Sequence, residues 1–259
     1  MNRKNSIVTL LTDFGTQDGY VGAMKGVLLD GFPNVTVVDI SHEIEPFNVR
    51  QGAFALLNYA AYFPENTIHI VVVDPGVGTS RRGLVIRAGD YWFIGPDNGV
   101  FSFIVRSDTF QAYTLREKEF ADVSSTFHGR DIFAPAATRL LLGQAPQEFA
   151  EPAADLTSFY DPYVEVSANE YLLTVIHTDH FGNIIFNFTI PDWKKIGSPS
   201  NIKIRLKSGF LYGIKNTFGD AREGQIMALW DSSGFLQISR NRGNAAEILK
   251  MQVGDHVMV

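Results

Sequence analysis

The spacing of apolar positions changes along the chain in a regular way. IVTLLT (residues 7–12), VTVVDI (35–40) and IHIVVV (68–73) are apolar runs of strand length, rich in β-branched residues. After the first run Tyr20, Val21, Met24, Val27 and Leu28 recur at helical spacing, and after the second so do Val49, Ala53, Leu56, Leu57 and Ala60. A strand that is apolar throughout is covered on both faces, so the alternation predicts a mostly parallel sheet flanked by helices. Beyond Gly83, LVIRAGDYWFIG predicts two short strands about Ala-Gly-Asp, a hairpin. Another helix is predicted over 132–142, stopped by Gly143.

Residues 144–169, rich in Pro, Ala, Asp and Glu, form the best linker candidate. Beyond them YLLTVIHTD, NIIFNF, IKIRL, MALWD and FLQIS read as short strands, with one helical stretch over 245–251. The expectation is an α/β amino-terminal domain (1–160) and a smaller antiparallel, barrel-like β domain (165–259).

Composition narrows the function classes. A net charge of -6 offers no basic footprint, so nucleic acid is not an expected partner. With no cysteine there are no disulfides, thiolate nucleophiles or sulfur-held metals. The apolar stretch near the amino terminus ends at Asp13, too short for a signal segment, and no other run is long enough to span a bilayer. A cytoplasmic protein with no membrane partner is the expectation.

VVVDPGVGTSRRG (71–83) is the most informative stretch. As a dinucleotide loop it has Arg81 where the last glycine belongs, and as a P-loop it lacks Gly-Lys-Ser/Thr. A plain turn made by Pro75 and the glycines is the bland alternative. Against it, Asp74 ends a presumed central parallel strand, the edge at which open α/β sheets place ligands. Asp13 ends the first strand in the same way, although it or Asp18 could instead cap the following helix. In FHGRDIFAP (127–135) His128 lies in a loop before a glycine, and Arg130 and Asp131 could pair with each other. HTDHFGN (177–183) offers His177, Asp179 and His180 as metal ligands, but is equally a good turn. His42, His69 and His256 have no neighbouring motif and read as structural.

Taken in order, TDFGTQDGYVGAMKG, VVDISHEIEPFNV, VVVDPGVGTSRR, GPDNGVF, TFHGRDIFAPAA, HTDHFGNIIFN and SRNRGNAA resemble the S-adenosylmethionine hydroxide adenosyltransferases, hydrolase relatives of the fluorinating and chlorinating enzymes. The resemblance spans nearly the whole chain. It implies splitting of S-adenosylmethionine into adenosine and methionine by water or hydroxide. It also implies an α/β domain joined to a barrel-like domain, a homotrimer with sites between subunits, and no cofactor or metal. The hydrolase branch carries an Asp, an Arg and a His, matched by Asp74, Arg81 and His128. Halogenating relatives have tyrosines at the positions of Asp74 and His128, and a serine where Gly129 stands. By the same resemblance Asp13 holds the ribose hydroxyls and Phe47 packs on the ribose. Asp179 meets the methionine ammonium, Asn183 and Phe218 lie at the adenine, and Ser233 lies near the methionine carboxylate. Ser233 departs from the arginine of the fluorinating relatives.

The leaving group of such a reaction is a neutral thioether, which needs no general acid. What the site must supply is a water in line with the carbon–sulfur bond. Three other classes compete: a binding or sensing protein without turnover, a metal-dependent hydrolase, and a halogenase. Turnover, chelator sensitivity and products separate them.

Overall fold

In the computed structural model, which describes residues 6–106, 109–199, 202–207 and 209–259, each of the three apolar runs becomes a strand. These are β1 (Ile7–Thr12), β2 (Thr36–Ser41) and β3 (Ile68–Val72). The predicted hairpin is β4 (Gly83–Ala88) and β5 (Tyr91–Pro96), and β6 (Phe110–Leu115) and β7 (Ala150–Pro152) complete a sheet ordered β2-β1-β3-β5-β4-β6-β7. From β2 to β5 the strands run parallel, and the hairpin makes the rest antiparallel, so the sheet is mixed.

Helices α1 (Tyr20–Gly31) and α2 (Val49–Tyr59) follow β1 and β2, and α3 (Ala134–Leu141) comes later. Alternate residues of each parallel strand explain the unbroken apolar runs. Val8, Leu10, Ile68 and Ile70 pack with Met24 and Leu28 of α1 and Ala137 and Leu140 of α3. Leu11 and Val71 face the other way, toward Leu56 of α2. His69 shares that second face. It is fully buried, bonded to Thr9 Oγ1 at 2.8 Å and ringed by Tyr59, Phe63, Tyr91 and Phe93. It is a core histidine, and burial lowers its pKa to about 3.

The helix expected over 132–142 begins instead with one π-helical turn, Gly129–Phe133, which runs into α3. Pro135 has no N–H to donate, so the chain slips register just before it at little cost. The linker candidate is also shorter than its composition suggests. Phe149 is fully buried, and β7 pairs with β6.

The chain divides into two compact units, Met1–Tyr160 and Asp161–Val259. The second unit holds β8 (Val164–Ser167), β9 (Glu170–Thr178), β10 (Ile184–Thr189), β11 (Lys203–Leu206), β12 (Gly209–Tyr212), β13 (Ile226–Trp230), β14 (Phe235–Arg240) and β15 (His256–Met258). They form one antiparallel sheet ordered β12-β11-β15-β9-β10-β14-β13, with β8 on β9. A bridge from Lys215 to Leu229 brings the chain after β12 onto β13, so the sheet curls nearly into a barrel. All of β10 is buried, Asn187 included. That amide is satisfied at a bulge: it accepts from Thr174 N–H at 2.7 Å and donates to Asp161 O at 3.0 Å.

Among the described residues the unit also holds the short α-helices α4 (Ile190–Lys195) and α5 (Ala245–Leu249) and a 3-10 turn, Phe218–Asp220. The sequence reading missed α4, although Thr189 and Asp192 form a capping box about Pro191. Among the described residues no helix is long and apolar enough to cross a membrane.

Candidate active site

Thr12 and Val72 are partners across β1 and β3, so both strands end at one level of the parallel half. The chain carries Asp13 directly after the first end and Asp74 two residues after the second. Both acids line one cavity of about 250 Å³, with Phe47, Phe127, His128 and Gly129 on its walls. Both strand ends lie at the carboxyl edge of the parallel strands, where open α/β sheets place ligands.

From Asp74 the chain turns tightly back into β4. Gly78 makes the turn with φ +73°, and a Cβ there would lie 2.2 Å from Ser125 O. Ser124 is pinned in its turn by Asp131, whose Oδ2 accepts its N–H at 2.9 Å. Arg130 pairs with that same Asp131, Nε to Oδ1 at 2.5 Å.

The turn returns Arg81 to Asp74. Arg81 Nε donates to both carboxylate oxygens at 3.0 Å, and Nη2 donates to Oδ2. Nη2 also lies 2.8 Å from Nδ1 of His128, the residue just before the π-helical turn. A guanidinium can only donate, so Nδ1 is the acceptor and the neutral imidazole carries its proton on Nε2. Burial, and then the Arg81 charge, lower the His128 pKa and keep the ring neutral. The side chains of Asp74 and Arg81 are 4% and 9% exposed, so the pair is desolvated. Arg81 Nη1 is buried without a hydrogen-bond partner among the described residues. Arg82, next in sequence, belongs elsewhere: it donates to Asp97 and to the carbonyls of Ala154 and Asp155.

Neither Asp13 nor Asp18 caps α1; the cap position is Gly19, with no side-chain cap bond. Asp13 Oδ2 instead accepts the N–H of Phe47 at 2.9 Å. Burial raises the Asp13 pKa, the Phe47 N–H opposes that, and the Asp74 charge adds to it. Phe47 has φ +67°, a conformation unusual for a bulky residue, and the residue is 71% exposed. Phe127 was not singled out in the sequence. Its ring meets Phe14 at 5.8 Å and Tyr20 at 5.3 Å, making an aromatic wall. With 20 phenylalanines in the chain, nothing local marks this one.

The remaining expected site residues belong to the second unit. Asp179 Oδ1 accepts the N–H groups of Phe181 and Asn183, and Oδ2 accepts from Asn183 Nδ2 at 2.7 Å. The HTDHFGN stretch is therefore a turn closed by its own acid, with Asn183 buried in it. Ser233 lies in the β13–β14 hairpin, where its N–H donates to Asp231 Oδ1. Burial raises the Asp231 pKa, and the Asp179 charge contributes, so the two loops share one negative field. Phe218 is 44% exposed. His177 is held neutral, its pKa lowered by burial to about 4. Among the described residues no three His, Asp or Glu side chains gather as a metal site.

Residues 8–150 match the model of the SAM hydroxide adenosyltransferase N-terminal domain, and 173–258 that of the C-terminal domain. An (R)-S-adenosyl-L-methionine hydrolase of Salinispora tropica is 36% identical, covering 97% of each chain. A fluorinase of Nocardia brasiliensis is more distant, 27% identical over 100% of this chain and 98% of its own. The crystal structure of an uncharacterized conserved protein from Thermotoga maritima superposes with a TM-score of 0.86 at 32% identity, covering 97% of this chain and 98% of that one. With both domain models matched in order, the chain belongs to the SAM hydroxide adenosyltransferase family.

Proposed function

We propose that this protein hydrolyses S-adenosyl-L-methionine to adenosine and L-methionine, by attack of water or hydroxide at the ribose 5′ carbon. The observation that carries this is the hydrogen-bonded set Asp74–Arg81–His128, with Asp74 and His128 lining the same cavity as Asp13. The greater identity to a hydrolase than to a fluorinase supports it.

In this mechanism Asp13 accepts hydrogen bonds from the two ribose hydroxyls, and charged acceptors make the stronger bonds. Phe47 and Phe127 enclose the sugar. The nucleophilic oxygen sits between the acceptor Asp74 and the donor His128 Nε2–H, and Arg81 holds both side chains in place from behind. The His128 N–H holds an oxygen lone pair, and the Asp74 carboxylate orients an O–H. The new C5′–O bond forms as the C5′–S bond breaks, and the electron pair moves to sulfur. Methionine leaves as a neutral thioether, and the water proton passes to solvent. Ordering the oxygen in line with that bond is worth up to about 7–11 kcal/mol in the best cases.

A cavity of about 250 Å³ falls short of the roughly 300–1,000 Å³ usual for small-molecule sites. By the family resemblance we assign the rest of the substrate to the second unit: Asp179 to the methionine ammonium, Asn183 and Phe218 to the adenine or its surroundings, and Ser233 to the methionine carboxylate. These residues complete the site between subunits of a homotrimer. The test is incubation of chelator-treated protein with S-adenosylmethionine, with and without chloride, beside Asp74→Ala. Adenosine and methionine from the wild type alone, regardless of chloride, are expected. A halogenated nucleoside, or full turnover by Asp74→Ala, refutes the assignment.

A further inference from the structure

A chain of polar groups braces the Asp13 loop from behind. Thr12 is fully buried; its Oγ1 accepts the Phe14 N–H at 3.2 Å and lies 2.9 Å from Nδ1 of His42. His42, 7% exposed, sets Nε2 3.1 Å from Asp39 Oδ1, and Asp39 Oδ2 accepts from Lys25 Nζ at 2.5 Å. The Nε2–H is not aimed squarely at the carboxylate, so that contact acts through charge more than through an aligned hydrogen bond. The His42 carbonyl also accepts the Gly15 N–H at 2.7 Å. His42 thus fixes the chain on both sides of Asp13.

One proton order follows from the charges along this chain. The Asp39 charge favours the tautomer with the proton on Nε2. Nδ1 is then an acceptor and takes the Thr12 O–H, while the same oxygen accepts from Phe14. Partial burial works against the Asp39 charge, but Lys25 and His42 outweigh it and hold that carboxyl below its usual range. Five residues on, the loop that begins at His42 presents the Phe47 N–H to Asp13 itself. One loop therefore grips the carboxylate directly and braces its backbone. A carboxylate that must meet two hydroxyls at once needs such support, because its geometry has to hold within about 0.5 Å.

We propose that His42 is a positioning residue for the nucleoside: through Thr12 and Gly15 it fixes the Asp13 carboxylate, and the Asp39–Lys25 pair sets its tautomer. This rests on the assignment of Asp13 to the ribose hydroxyls. The test is calorimetric titration with adenosine, plus KM and kcat for S-adenosylmethionine, on Asp13→Ala, Thr12→Val, Thr12→Ser and Asp39→Asn. Thr12→Val weakens adenosine about tenfold, the weight of roughly one buried hydrogen bond. Thr12→Ser restores wild-type affinity, and KM rather than kcat carries the change. Asp39→Asn, on a partly exposed side chain, weakens binding in the same direction and serves if Thr12→Val does not fold. In the Asp13→Ala background Thr12→Val adds nothing.

Weak binding by Asp13→Ala with normal binding by Thr12→Val and Asp39→Asn overturns the role of His42 and leaves that of Asp13 intact. Normal binding by Asp13→Ala overturns both. A further loss on adding Thr12→Val to Asp13→Ala shows that the brace does not act through Asp13, and overturns the proposal.

Discussion

Replacing Arg81 with methionine removes the only hydrogen-bond donors that reach the Asp74 carboxylate among the described residues. At 4% exposure that carboxylate cannot recover the loss from solvent. Breaking a buried ion pair by deleting one partner costs about 3–5 kcal/mol, because the other charge stays buried and unpaired. At about 1.4 kcal/mol per factor of ten, amide exchange limited by unfolding of the first unit speeds up between about 100-fold and a few thousand-fold. Hydrogen exchange read on peptides covering β3 and β4 reports the first unit separately from the second. Asp74→Asn combined with Arg81→Met removes the orphaned charge and recovers most of the protection. Arg81→Lys keeps a charge, but one ammonium cannot reproduce the fork that reaches Asp74 and His128 together. Its turnover falls by at least about 100-fold, the scale of losing one preorganised donor. Wild-type exchange in Arg81→Met, or no recovery in the double variant, refutes the reasoning.

Other consequences can be checked independently. His69 has a folded pKa of about 3, below its ordinary 6.5, so the unfolded chain takes up the proton first on acidification. Its contribution is complete above pH 6.5 and is lost as pH falls toward 3; at pH 5 the loss is about 2 kcal/mol. His69→Phe, with Thr9 still bonded to Tyr59, flattens urea stability between pH 5 and 6.5, and an unchanged slope contradicts this. Gly78→Ala meets both a positive φ and the Ser125 carbonyl, so it costs more than about 1 kcal/mol and lowers turnover; a stable, fully active variant refutes the turn's role. Because the folded pKa of His128 is lowered below 6.5, its acid limb in the kcat/KM profile lies below that pH and disappears in His128→Asn. An acid limb at or above pH 6.5 argues against a neutral His128.

The part of the site nearest the parallel strands was legible because both-face burial writes itself as unbroken β-branched runs. Asp13 and Asp74 stand out as acids placed where those runs stop. Arg81 was singled out by the family resemblance and not by a local signal, and the structure separates it from Arg82, which braces the chain near Asp155. Elements without an apolar face were not legible. β8 is exposed at every position, β12 at most of its positions, and β15 has three residues. The brace behind Asp13 left no local signal either. Its members Lys25, Asp39, His42 and Thr12 lie on α1, β2, the loop after it and β1, and only folding brings them together. A histidine without a motif reads as structural until its neighbours are known.

The central claim is that an oxygen from water attacks the ribose 5′ carbon. A turnover of S-adenosylmethionine in water enriched in oxygen-18, with products resolved by mass spectrometry, tests it directly. The label is predicted in the 5′ hydroxyl of adenosine, one atom per molecule, with methionine unlabelled and Asp74→Ala yielding no labelled adenosine. Adenosine formed without label, or label in the amino-acid product instead, contradicts attack at that carbon.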